Sequence, residues 1–236
     1  MSDPENRIDA VRLSAAVAAV REELAAAARV SGRASDAVQL LVAGKYIDAA
    51  ETPTLIAAGV DLIGENRLQQ LQAKQDLVGD RVRFDFIGHL QRRKVRDVLR
   101  RVRLIHSVDS LELAREIALR AEGPTRVLVE INADEEPSKA GIMPSQLRQF
   151  VADASSSGDL VIGGLMAMPS PTTRAEDSRA AFALVRDLRD ALAVEWQGRH
   201  DFSDLSMGTS QDYVVAAQEG ATIVRLGRGL IERGRA

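Results

Sequence analysis

Residues 39–46 read QLLVAGKY: an apolar run, Leu40-Leu41-Val42-Ala43, that stops at Gly44 and then presents Lys45. A short apolar run closed by glycine has the pattern of a strand buried on both faces, as in a parallel sheet. The lysine at its end is the unusual feature. Of 31 cationic side chains only four are lysines: Lys45, Lys74, Lys94 and Lys139. A bare positive charge is served equally well by arginine. An amine that sheds its proton and attacks a carbonyl must be lysine. The plainer reading of Lys45 is a solvated charge or an ion pair at a strand end.

The same pattern recurs down the chain. Apolar runs at 60–64, 82–88, 102–108, 126–132, 160–166, 204–207 and 222–227 join 38–44 to make eight candidate strands. Helical spacing fills the intervals at 49–58, 67–77, 92–99, 110–121, 144–154, 174–196 and 211–219. Asp109 followed by Glu112 resembles a capping box opening the helix at 110. Ahead of the first strand, Leu13, Val17, Val20, Leu24 and Ala27 form one apolar stripe on a helix expected over 8–30. Strands alternating with helices pair in parallel through right-handed crossovers, and eight such units are the count of a (β/α)8 TIM barrel. A doubly wound open sheet is the alternative, but no GxGxxG follows the first strand. We therefore expect an α/β chain forming a single domain over 1–236, with an N-terminal helix (1–31) packed on the barrel. SSSGD (155–159) and PSPTT (169–173) read as loops between units.

Composition removes several functions. The 236 residues include no cysteine, which excludes disulfides, thiolate catalysis and cysteine-ligated metals. His89, His106 and His200 are scattered without ligand spacing, so no metal site is expected. A net charge of −3 gives no global attraction to nucleic acid or anionic membrane. No stretch has the length to span a bilayer and no export signal opens the chain, so a soluble, cytoplasmic protein is expected, a monomer or weak dimer. One local exception is RRKVRDVLRRVR (92–103), with seven cations and one acid. It reads as a solvated outer helix or, alternatively, as a docking face for a phosphate-rich partner. Aromatic residues make up only 3% of the chain, which argues against a stacking platform for single strands.

In a parallel barrel the C-terminal strand ends share one face, and that face carries the active site. Lys45, Asn66, His89, Asn132, Ser206, Thr209 and Arg225 all fall at or just after expected strand ends. The last two units also offer anion cradles, SMGTSQD (206–212) and LGRG (226–229), rich in glycine and small hydroxyl residues. A strand-end amine beside a phosphate cradle meets the needs of pyridoxal 5'-phosphate (PLP).

At this point the chain resembles a known family, the PLP homeostasis proteins (YggS-like or PROSC). The resemblance runs from residue 38 to 234. It rests on LLVAGK (40–45), IGENRLQQ (63–70), FIGHLQRRK (86–94), SVDSLELA (107–114), SKAGI (138–142), GLMAMPSP (164–171), LSMGTSQD (205–212) and GATIVRLG (220–227). It implies a barrel like the N-terminal domain of alanine racemase. Lys45 would hold PLP as a Schiff base, Asn66 would lie beside the ring and Arg225 would face the pyridine nitrogen. Ser206, Gly208, Thr209, Gly227 and Arg228 would surround the phosphate, and Lys139 would serve cofactor exchange. The family implies a carrier or buffer that delivers PLP to apoenzymes in vitamin B6 and amino-acid homeostasis, with no catalytic residue assigned. Gly44 replaces the family's usual serine, Thr209 its methionine, Arg228 a small hydroxyl residue, and LIERG its usual IFG.

Carrier and enzyme differ physically. An arginine at the pyridine nitrogen stays protonated, so the ring nitrogen does not gain a proton and the ring is a weaker electron sink. A PLP-dependent amino-acid racemase, the alternative function, also needs a second base on the opposite face of the substrate. The chain has two tyrosines for that part, Tyr46 and Tyr213. Neighbours on a strand point to opposite sides, which turns Tyr46 away from Lys45 if the strand continues that far. Tyr213, opening the helix after the seventh strand, would lie near the mouth.

Overall fold

The computed structural model describes residues 7–170 and 173–235. Eight strands make up the sheet: β1 (Gln39–Ala43), β2 (Leu62–Glu65), β3 (Arg83–Phe86), β4 (Ile105–Val108), β5 (Thr125–Ile131), β6 (Leu160–Ala167), β7 (Asp204–Ser206) and β8 (Ile223–Leu226). They stand in chain order and all run parallel. β8 returns to pair with β1, Leu41 opposite Arg225 and Val42 opposite Leu226. That closure makes the expected barrel and excludes the open sheet. The helices are α1 (Ala10–Val30), α2 (Thr52–Ala57), α3 (Leu68–Val78), α4 (Val95–Leu99), α5 (Leu111–Arg120), α6 (Leu147–Ser155), α7 (Arg179–Glu195), α8 (Tyr213–Gln218) and α9 (Arg228–Arg233).

Alternation along the strands sorts the side chains. On β8, Val224 and Leu226 join the core between barrel and helices, whereas Ile223 packs with Leu41, Leu62, Leu104, Leu128 and Met166. Two residues beyond Ile223, the strand period returns Arg225 to the same inner side. Asp85, His106 and Ser206 are inside too, since His106 on β4 bonds Ser206 on β7, a strand that is not its neighbour. The lumen thus has apolar filling and a polar layer.

α1 begins at Ala10, because Asp9 caps it by accepting from Arg12 N at 2.8 Å. Ile8, expected inside the helix, instead bridges antiparallel to Arg235, and Asp9 N donates to Gly234 O. The expected stripe is the buried face of α1, which packs on α8 and α9.

Several local expectations are corrected. The basic stretch 92–103 is not one helix: Arg92–Lys94 is a 3-10 turn, α4 is five residues long and the chain has left the helix by Arg101. Its cations are also partly spent. Arg100 pairs with Glu122, Arg101 bonds Gln75, and Arg103 bonds Asp85 and Gln39. Arg92, Arg96 and Arg100 therefore do not share the face of one continuous helix. α5 is capped by Ser110, whose Oγ accepts from Leu113 N, and Asp109 turns to His89 instead. The glycine turn at 226–229 runs straight into α9, which the sequence reading lacked. Of the expected 169–173 loop, Pro171 and Thr172 lie outside the described residues.

Candidate functional site

Lys45 stands on a built mount. β1 stops at Ala43, and Gly44–Tyr46 form a 3-10 turn that lifts Lys45 into solvent at the C-terminal end of the barrel. Beneath it, the buried Lys74 of α3 donates from Nζ to the Gly44 carbonyl at 2.8 Å and to Glu65 Oε1. Burial raises the Glu65 carboxyl against the pull of Lys74. A Cβ on Gly44 would lie 1.9 Å from Glu65 Oε1. Gly44 is thus the residue whose missing side chain makes room for this pair.

Because the strand has ended, Tyr46 does not point away from Lys45. Lys45 Nζ lies 4.8 Å from the centre of the Tyr46 ring, and the Arg228 guanidinium 5.1 Å. A hydrogen bond from Lys45, with the charges of Lys45 and Arg228, draws the Tyr46 phenol below its ordinary value. The same ring packs at Gly227, where a Cβ would lie 3.0 Å from it. Lys45, Gly227 and Arg228 are therefore brought together around Tyr46.

Arg225 is held differently. Its guanidinium is buried and donates to Ser206 O at 2.7 Å, Ser206 Oγ at 2.6 Å and Ala167 O at 3.0 Å. All three are neutral acceptors. Burial pulls Arg225 down to about 10, partly opposed by the charges of Glu130 and Asp212. It stays a cation at neutral pH without a hydrogen-bonded carboxylate among the described residues. Glu130 is in turn raised by burial and by Asp109.

The two expected anion cradles meet as one. Ser210 Oγ accepts from Gly227 N at 3.3 Å and packs where Gly229 would carry a Cβ. Gly208 has φ +92° and its carbonyl accepts from Arg225 N; a Cβ there would lie 2.5 Å from Ala216 Cβ. Thr209 spends both donors, N–H and hydroxyl, on Asp212 Oδ1. Ser206 faces elsewhere: it has no exposed surface and its hydroxyl is bound between Arg225 and His106. Ser210, absent from the expected set, occupies the junction instead. The signal was present, a small hydroxyl between the glycine and the helix start, but Ser206 and Thr209 compete for the same reading.

Asn66 Oδ1 is buried and without a hydrogen-bond partner among the described residues. Next to the Gly208 and Thr209 turn is a cavity of about 340 Å³ whose wall includes Glu130, Asn132, Asp134, Lys139 and Met168. Lys139 Nζ bonds Asp134 and Ser170, and Glu136 Oε2 lies 3.5 Å away. Burial lowers Lys139, but Asp134 and Glu136 together outweigh it and raise the amine above its ordinary value. Tyr213 is not at the mouth. Its hydroxyl donates to Glu23 on α1, and burial followed by that carboxylate pushes it up to about 12. No group of three or more His, Asp or Glu side chains able to hold a metal occurs among the described residues. No helix among them is long and apolar enough to cross a membrane.

Residues 16–231 match the family model described as alanine racemase, N-terminal domain. A PLP homeostasis protein of Aquifex aeolicus is 35% identical over 212 residues, which is 88% of this chain and 92% of the relative. A solved structure of an unknown protein from Bifidobacterium adolescentis superposes with a TM-score of 0.86 at 32% identity, covering 96% of this chain and 98% of that one. PipY of Synechococcus elongatus, solved with PLP bound, superposes with a TM-score of 0.79 at 28% identity over 93% of this chain and 99% of its own.

Proposed function

The chain belongs to the alanine racemase N-terminal domain family, among the PLP homeostasis proteins, and on that footing we propose that it binds PLP and buffers or delivers it. The residues fit that group. Lys45 supplies an exposed amine that would hold the aldehyde as a Schiff base, with loss of water. Asn66 has a carboxamide oxygen in want of a donor. The joined turn of Gly208, Thr209, Ser210, Gly227 and Arg228 would receive the phosphate. Its donors are the first backbone N–H groups of α9, which no helix can satisfy internally, and the Arg228 charge. Thr209 would join only by releasing Asp212.

The observation that carries the reading is Arg225, a buried cation whose acceptors among the described residues are all neutral, on the strand that pairs with the lysine's own. It suits a lone pair such as a pyridine nitrogen. Bound PLP would supply an activated aldehyde on an electron-withdrawing ring. A guanidinium that keeps its own proton leaves that nitrogen unprotonated, which favours holding over turnover. Racemisation would need a proton carrier across the substrate from Lys45. Tyr213 is committed to Glu23, and Tyr46 sits on the same turn as Lys45. Lys139 would assist exchange with an apoenzyme.

The experiment is a PLP titration followed by visible absorbance, then borohydride reduction and peptide mapping. A visible band fixed by reduction onto Lys45, and lost in Lys45→Ala, is expected. Lys139→Ala should keep the band and change transfer to an apoenzyme. A wild type without the band, or one racemising an amino acid at enzyme-like rates, would overturn the reading.

A further inference from the structure

A line of hydrogen bonds crosses the barrel lumen and ends on Arg225. Arg103 grips Asp85 with both arms, Nε to Oδ1 at 3.1 Å and Nη2 to Oδ2 at 2.7 Å. Asp85 Oδ2 lies 3.1 Å from His106 Nε2, and His106 Nδ1 lies 2.8 Å from Ser206 Oγ. Ser206 Oγ then receives Arg225 Nη1 at 2.6 Å. Asp85, His106 and Ser206 have relative exposures of 0%, 0% and 0%.

Asp–His–Ser in that order is the connectivity of a hydrolytic triad. It does not act as one here. No substrate reaches a serine without exposed surface, and the Ser206 lone pair that faces Arg225 is already occupied. The same connectivity has another consequence, because the direction of every proton in it is determined. Asp85, pulled low by His106 and Arg103 against its burial, is a carboxylate and only accepts. His106 must then donate from Nε2, and burial keeps the ring neutral, so Nδ1 is bare. Ser206 donates its single proton to that nitrogen. Its oxygen is left as an acceptor turned to Arg225.

We infer that His106 is a positioning residue for the cofactor ring: its fixed tautomer holds Ser206 as an acceptor and so aims Arg225 at the ring nitrogen. The inference rests on the proposed PLP site. Without His106 the Ser206 hydroxyl is free to turn its proton toward Arg225, which loses one of its three acceptors. Asp85 and Arg103 act one step further back, by choosing the tautomer.

Two measurements test this. The first is the nitrogen-15 spectrum of histidine side chains in the wild-type protein without PLP. His106 should show a protonated Nε2 and a bare Nδ1; the opposite tautomer overturns the inference. The second is PLP titration of His106→Phe, His106→Gln and Ser206→Ala, each checked by thermal melting. Losing a hydrogen bond to a charged group should weaken PLP about tenfold in His106→Phe and in Ser206→Ala. In both, the pH at which the visible band changes should move. The double variant should be no weaker than either single one, since both act through one line. Gln offers an acceptor to Ser206 and a donor to Asp85, so His106→Gln should bind within about twofold of wild type. A wild-type band left unchanged in His106→Phe sinks the inference alone. No band in wild type sinks the PLP reading and the inference with it. If His106→Phe does not fold, Ser206→Ala and the tautomer measurement still decide.

Discussion

At the scale of residues, the mount of Lys45 is tightly specified. Any side chain on Gly44 meets Glu65 Oε1, which is buried and tied to Lys74 and has little freedom to retreat. Gly44→Ser should destabilise the fold by about 1–3 kcal/mol. Urea denaturation measures this, and an unchanged midpoint would show that Glu65 is not held there. The buried histidines set a second expectation. His106 and His200 both lie below the ordinary histidine value, burial being the main cause in each. His200 Nδ1 also accepts from Ile162 N, a bond that protonation there would break. A depressed histidine contributes stability that is full above its unfolded value of about 6.5 and is lost as pH falls below it. The urea midpoint should therefore drop from pH 7 to pH 5. It should drop less in His106→Gln, and less again with His200→Gln added.

At the scale of elements, pattern was a good guide where burial follows a period and a poor one where a single hydrogen bond sets a boundary. The stripe on α1 is a case of the first kind. Leu13, Val17, Val20 and Leu24 repeat at helical spacing and form its buried face. Leu24→Ala should cost about 2–5 kcal/mol in a thermal or urea melt, as for other core leucines. An effect under about 0.5 kcal/mol would mean that α1 is only loosely docked. The stretch at 92–103 is a case of the second kind. Its composition reads as a basic helix, but the helix stops after five residues and Arg103 turns inward to the buried Asp85. Charge in a sequence does not reveal which cation has a buried partner. β1 is similar: the run of apolar residues locates the strand, while the 3-10 turn that follows decides that Tyr46 stacks beside Lys45.

At the scale of the whole molecule, closure of the barrel makes the site. Ligand linkage should then be visible globally. At a hundredfold excess over its Kd, PLP would add about 2.7 kcal/mol of stability. For a chain of this size that raises Tm by about 5–10 °C. Lys45→Ala should show a smaller rise at the same PLP concentration, and equal shifts would argue that the amine contributes nothing to binding. The sequence by itself determined the number of the strands, their alternation with helices, and the lysine at the end of the first. Those follow from periodicity and from residue chemistry, which are local. Only the tertiary structure decided who meets whom among the polar residues. Ser206 serves Arg225 and His106, Thr209 turns to Asp212, and Tyr213 reaches back to α1. His106 and Ser206 are 100 residues apart on strands that are not neighbours. A contact across a lumen exists only once the sheet has closed on itself, and no spacing along the chain encodes it.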